Sequence, residues 1–168
     1  MSQIRIATID DVQTISIIHA RSWKSAYIGL VSEQYLDNIP EDHWVPLFTE
    51  NMQTRRFETA LFFEVEEATA CITYGKPKDE SIQDYAEIVA LYVLPRYWSQ
   101  RQGYELMMFS MMKLKERGFK QAFLWVFKGN KRAIQFYEKL GFTSDGLTIE
   151  VPLEDEILDG IRYSIELR

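Results

Sequence analysis

Residues 96–139 carry ten Lys and Arg against three Asp and Glu, whereas residues 1–95 carry seven against fifteen and residues 140–168 two against seven. A basic centre between acidic flanks suits a protein that holds an anionic ligand at its middle and offers acidic surface elsewhere to a cationic one. The alternative is a lysine-rich solvated helix, a description that Lys113, Lys115, Arg117 and Lys120 fit. Gly103, the only glycine between Pro95 and Arg117, lies in the same stretch. A glycine at a helix N-terminus lets an anion approach the N–H groups left unpaired there. His19, Trp23 and Tyr27, at i, i+4 and i+8, share one face if a helix runs that far. Such a stripe lines a ligand pocket or packs into a core. Cys71 is the only cysteine and sits in a strand-like run with no evident His partner, so it reads as a small core residue rather than a nucleophile. His19 and His43 have no metal-ligand spacing, and no P-loop, dinucleotide or zinc pattern appears, so no metal is expected.

These residues need elements to position them. Gln3-Ile4-Arg5-Ile6-Ala7 alternates like a first strand, and Thr8 with Asp11 offers a helix start whose apolar face is Val12, Ile15 and Ile18, continuing to Ser22. Trp44, Leu47, Phe48 and Met52 repeat the helical spacing beyond Pro40. Residues 60–65 and 70–74 read as a hairpin joined at Glu66-Glu67 and followed by a turn over residues 75–79. Residues 88–94 are apolar on both alternating faces, as in a central strand covered on both sides, and Pro95 removes a ladder donor at its end. A helix over residues 103–117 closed by Gly118 and a strand over Gln121–Phe127 complete a strand, helix, strand unit. Ala133, Phe136, Tyr137 and Leu140 mark a short helix from Asn130 to Gly141, and strands at residues 148–151 and 161–167 end the chain. One parallel crossover among antiparallel hairpins predicts an α+β (mixed α/β) class, a central mixed, mostly antiparallel sheet flanked by helices, in a single domain over residues 1–168.

Composition narrows the setting. The longest apolar run, residues 88–94, is far shorter than the ~20 residues of a bilayer crossing, so no membrane partner is expected. The start Met1-Ser2-Gln3-Ile4-Arg5 lacks the regions of a signal peptide and the lone cysteine cannot form an internal disulfide, which predicts a cytoplasmic protein. A formal net charge of −6 argues against general nucleic-acid affinity.

From Glu87 onward the chain resembles the GNAT superfamily of acyl-CoA-dependent N-acetyltransferases. The resemblance is carried by residues 87–95, by Gly103 with Leu106, by Leu124-Trp125-Val126, and most strongly by Asn130, Ala133, Phe136-Tyr137-Glu138-Lys139 and Gly141-Phe142. Ile4-Arg5 with Ala7-Thr8 and Asp11, Ser22-Trp23 with Tyr27 and Gly29, and Arg162-Tyr163 with Leu167 are similar to a common bacterial branch. One departure stands out. The family's phosphate loop reads Gln or Arg, two residues, Gly, one residue, then Gly or Ala. Starting at Gln100 would put Gly103 first and Glu105 second. Counting without a gap from Pro95, the preferred register, puts Trp98 on the first position, Arg101 on the first glycine and Gly103 on the second. Arg101 then either adds charge-assisted bonds to phosphate or obstructs it.

The resemblance implies transfer of an acetyl group from acetyl-CoA to a primary amine by direct attack. It assigns coenzyme contacts to Leu91, Tyr92, Val93, Trp98, Ser99, Gln100, Arg101, Gln102, Gly103, Tyr104, Asn130 and Tyr137, with pantetheine paired to main-chain groups near Leu91 and Val93. Tyr137 would protonate the departing thiolate. Glu87, placed by strand alternation on the face of Leu91, would accept the amine proton through water. His19, Trp23 and Tyr27 would line the acceptor pocket. The acidic flanks fit a small cationic amine, while a peptide amine is equally compatible, and a homodimer is left open. Trp98 and Arg101 motivate the alternative of a degenerate acyl-CoA-binding or regulatory module, and a different acyl donor is a third reading.

Overall fold

The computed structural model describes every residue except Met1, Lys78, Glu80, Ser81, Gln83 and Asp155. Seven strands form one sheet: β1 (Ser2–Ile6), β2 (Phe57–Glu64), β3 (Glu67–Gly75), β4 (Tyr85–Val93), β5 (Gln121–Phe127), β6 (Thr143–Leu153) and β7 (Glu156–Glu166). They are ordered β1-β2-β3-β4-β5-β7-β6, and of these strands only β4 and β5 pair in parallel. The helices are α1 (Val12–Ala26), α2 (Glu33–Asn38), α3 (Val45–Thr54), α4 (Gln102–Glu116) and α5 (Lys131–Lys139). This is the expected α+β arrangement.

Sheet alternation sorts the core into two faces. Ala60, Phe62, Ile72, Tyr74, Ile88 and Leu124 meet Leu106, Met107 and Leu114 of α4, and Phe136 of α5 and Leu140 just beyond it pack on the same cluster. Leu61 and Cys71 point the other way, against Ile15 and Ile18 of α1 and Phe48 of α3. Cys71 is fully buried there, and burial pushes its thiol far up, in keeping with a packing role. A third cluster, Ala20, Tyr27, Val31, Leu36 and Ile39, joins the end of α1 to α2 and touches Leu153 and Leu158 of the β6–β7 hairpin.

Several boundaries differ from expectation. The β2–β3 turn is Val65-Glu66, one residue earlier than predicted, with Val65 at a φ of 59°. Gly75 belongs to β3, and Lys78 of the predicted turn lies outside the described residues. α2 was not predicted; six residues are too few to show periodicity, and it is fixed locally by Ser32, whose Oγ accepts from the Tyr35 N–H at 3.3 Å. β6 is longer than predicted because it is an edge strand exposed along most of its length, so no apolar alternation marks it. No helix among the described residues is long and apolar enough to cross a membrane.

Candidate active site

β4 and β5 pair only from Tyr85↔Gln121 to Ile88↔Leu124. β4 keeps its ladder with β3 as far as Ala70↔Val93, and β5 keeps its ladder with β7 as far as Phe127↔Gly160, so the two central strands part while their outer partners stay bound. Val89 explains where this begins. It has no opposite residue, standing between Ile88 (opposite Tyr74) and Ala90 (opposite Thr73). A bulge of this kind bends its strand and increases the local twist. Beyond it, the Leu94 N–H donates to the Thr69 carbonyl at 2.9 Å. Because antiparallel bonding alternates, the main-chain groups of Leu91 and Val93 face away from β3, into the gap. A cavity of about 870 Å³ opens there.

The bulge also reverses the side-chain alternation. Ile88, Leu91 and Val93 face the α4–α5 cluster, while Glu87, Ala90 and Tyr92 lie opposite Gly75, Thr73 and Cys71 on the other face. Glu87 is therefore not on the face of Leu91, because alternation read across an unrecognised bulge is out of phase. Glu87 is half-buried beside Phe123 and is not among the residues lining the cavity.

The loop after β4 and the first turn of α4, from Trp98 to Tyr104, line one end of the cavity together with Leu91, Tyr92, Val93, Asn130 and Tyr137. Arg101 directly precedes α4 with φ 67° and ψ −4°. That left-handed conformation is the one glycine adopts without cost, so Arg101 occupies a glycine-type position, consistent with the ungapped register. At Gly103 a Cβ would meet only ordinary contacts, 3.6 Å from Val93 and 3.7 Å from Phe136, as suits a position taking Gly or Ala. Gln102 is buried, and its Oε1 accepts from Thr69 Oγ1 at 2.8 Å, tying the first turn of α4 to β3. Asn130 caps α5, its Oδ1 accepting from the Ala133 N–H at 3.2 Å. The Trp98 indole N–H donates to the Val93 carbonyl at 2.7 Å and Ser22 Oγ donates to the same carbonyl at 3.3 Å, so that group is already engaged.

The basic stretch divides in a way the sequence could not show. Arg96, Lys113, Arg117, Lys120 and Lys128 are paired with Glu67, Glu116, Glu58, Asp84 and Asp159. Arg101, Arg132 and Lys139 line the cavity and have no carboxylate partner among the described residues. Positive charge is left unneutralised where a ligand would enter.

The model of the acetyltransferase (GNAT) family matches residues 23–142. The chain belongs to that family. Its class, an N-acetyltransferase, is the one expected. Spermidine N(1)-acetyltransferase of Thermoplasma acidophilum is 27% identical over 142 residues, 83% of this chain and 87% of that protein. Among solved structures, an N-acetyltransferase from Staphylococcus aureus Mu50 superposes with a TM-score of 0.79 at 19% identity, covering 100% of this chain and 99% of that one. The PaiA N-acetyltransferase of Thermoplasma acidophilum in complex with coenzyme A gives 0.74 at 21% identity, covering 95% and 98%. At these identities the two structures speak to the fold.

On the other side of the cavity of this GNAT protein, Trp23 and Tyr27 line the wall, at the end of α1 and just beyond it. His19 does not. It lies buried, its ring centre 4.5 Å from Tyr92, 4.8 Å from Phe48 and 5.6 Å from Trp44, because one more turn back along α1 is already under α3. The Tyr27 and Tyr92 hydroxyls are hydrogen-bonded at 3.2 Å. Tyr137 reaches the cavity from α5, and burial first, then the nearby Tyr27, push its phenol well above the usual range, so it stays protonated. Sequence reasoning named Tyr92 but not its facing, which becomes legible only with the bulge, and it did not name Arg132, which lies within the Asn130–Gly141 segment. No group of three or more His, Cys, Asp or Glu among the described residues could hold a metal.

Two outcomes follow from this geometry. Burial lowers the His19 pKa from 6.5 to about 3. The stability this contributes is complete above pH 6.5 and is lost as pH falls towards 3, by up to about 1.4 kcal/mol per unit. Urea melts at pH 6.5 and 4.5 should show His19→Leu losing about 2 kcal/mol less than the parent across that interval. Arg101→Gly should gain about 1 kcal/mol by relieving the left-handed backbone, raising the thermal midpoint by about 2–4 °C.

Proposed function

We propose that this acetyltransferase moves the acetyl group of acetyl-CoA to a primary amine of a small cationic acceptor, by direct attack in a ternary complex. The observation that carries the reading is the gap between β4 and β5, which opens into a cavity lined both by unneutralised cations and by Tyr27, Tyr92 and Tyr137. The N–H groups at the start of α4 and the side chain of Arg101 take the coenzyme phosphates, and main-chain groups of Leu91 and Val93 take the pantetheine arm. A main-chain N–H of this segment stabilises the oxyanion that forms when the neutral amine attacks the thioester carbonyl. As the C–S bond breaks, the Tyr137 phenol gives its proton to the thiolate. Glu87 accepts the ammonium proton through water along the β4 face that it shares with Ala90 and Tyr92.

Two observations support a cationic acceptor. The relative from Thermoplasma acidophilum is named for spermidine. The tip of the β6–β7 hairpin also brings carboxylates to the start of α2, where Glu156 accepts from the Ser32 N–H at 3.2 Å and where burial first, then Glu154, raises the pKa of Tyr35. A degenerate acyl-CoA-binding module is the second reading, favoured by the engagement of the Val93 carbonyl by Trp98.

Calorimetric titration with acetyl-CoA followed by thiol-release assays on spermidine, amino-sugar compounds and peptides separates these readings. Binding with turnover on a polyamine or amino sugar is expected; no binding at millimolar coenzyme removes the transferase reading, and binding without turnover on any amine supports the second. Tyr137→Phe should lower kcat about 100-fold while leaving coenzyme affinity nearly unchanged, and an equal loss of both would mark a packing role. Glu87→Gln should lower kcat/KM for the amine by about 10- to 100-fold at constant coenzyme affinity, and parental kinetics would remove it as the base.

A further inference from the structure

In the ungapped register of the family resemblance, Trp98 takes the position of the phosphate loop's Gln or Arg, which leaves this loop without a polar side chain there. What replaces it comes from α5. Arg132, the second residue of that helix, lays its guanidinium over the Trp98 ring with Cζ 3.8 Å from the ring centre. A guanidinium held over an aromatic ring makes a cation–π contact that uses none of its five N–H donors in a conventional hydrogen bond. Trp98 is held in turn by its indole N–H on the Val93 carbonyl, so the stacking surface is fixed to the end of β4. Both residues line the cavity, and Arg132 has no carboxylate partner among the described residues. Burial draws the Arg132 pKa below its usual value, which marks a cation partly stripped of water and not compensated by an anion of the protein.

We infer that Arg132 is a ligand of the coenzyme's phosphate groups and that Trp98 is the positioning residue that holds it, the pair doing for phosphate what a polar side chain at position 98 would do. The inference rests on the transferase reading above, since it takes the cavity to be the coenzyme site. The planar fork of Arg132 suits two oxygens of one phosphate group. Both the pyrophosphate and the 3′-phosphate of the coenzyme offer that chemistry.

Calorimetry with coenzyme A and with dephospho-coenzyme A, on the parent and on Arg132→Gln, Trp98→Phe, Trp98→Leu and the double variant Trp98→Leu/Arg132→Gln, tests the assignment. Arg132→Gln is expected to weaken coenzyme A binding about 10- to 100-fold with an unchanged thermal midpoint. An equal loss for dephospho-coenzyme A assigns the pyrophosphate, and a loss confined to coenzyme A assigns the 3′-phosphate. Trp98→Phe, which keeps a stacking ring, should retain most of the affinity, whereas Trp98→Leu should lose it. In the Arg132→Gln background, Trp98→Leu should have no further effect, a coupling that simple packing would not produce. Parental affinity in Arg132→Gln overturns the phosphate contact, and losses that multiply in the double variant overturn the positioning role. A parent that binds neither coenzyme overturns the transferase reading and this inference with it, whereas a binding parent with a silent Arg132→Gln overturns this inference alone.

Discussion

Main-chain N–H and C=O groups in the interior of a sheet are obligatory hydrogen-bonding groups, and the parting of β4 from β5 leaves several of them facing a space rather than a strand. The gap is held open by what lies on either side of it. β3 grips β4 and β7 grips β5 to beyond the point of separation. α4 starts over Val93 and Leu91, with Gly103 set close against them and against Phe136 of α5, and the Thr69–Gln102 bond fixes that start to β3. The sheet edge thus created inside the molecule is ready for an extended ligand with amide groups, because it is already spaced and oriented as a ladder.

Charge follows the same division. Half of the basic stretch is spent on surface pairs such as Lys113 with Glu116 and Lys120 with Asp84, which contribute little to stability in water. The cations that meet the cavity are those left without carboxylates, whereas Glu156 of the hairpin tip is engaged at the start of α2. A net charge of −6 therefore coexists with an anion-attracting interior.

Much of this was legible in the residues. Long segments such as residues 88–94, 103–117 and 130–140 announce their elements, and the uninterrupted apolar run over residues 88–94 marks a central strand, although the gap beyond Ile88 leaves Val89 exposed rather than covered. Segmental charge marked residues 96–139, within which Arg101, Arg132 and Lys139 line the cavity. Three things were not legible, each for a physical reason. α2 depends on a local cap and one buried Leu36 rather than on a repeat. The inward turn of His19 depends on where α3 crosses α1, a tertiary fact that no helical spacing encodes. The facing of Glu87 depends on one unpaired residue in β4, and an apolar Val89 in an apolar run gives no sign of it.

That residue has a consequence for comparing this chain with its relatives. The two walls of the cavity are set by parity along β4, and Val89 is where parity changes. Residues before it and residues after it obey opposite inside–outside rules, so an alignment that slides by one position near Val89 keeps the apolar character of the strand while exchanging the positions of one cavity wall for those of the other. Substitutions at Ala90 and Tyr92 can reshape one wall of the cavity without disturbing Leu91 and Val93 on the other, because a single local count keeps the two sets apart.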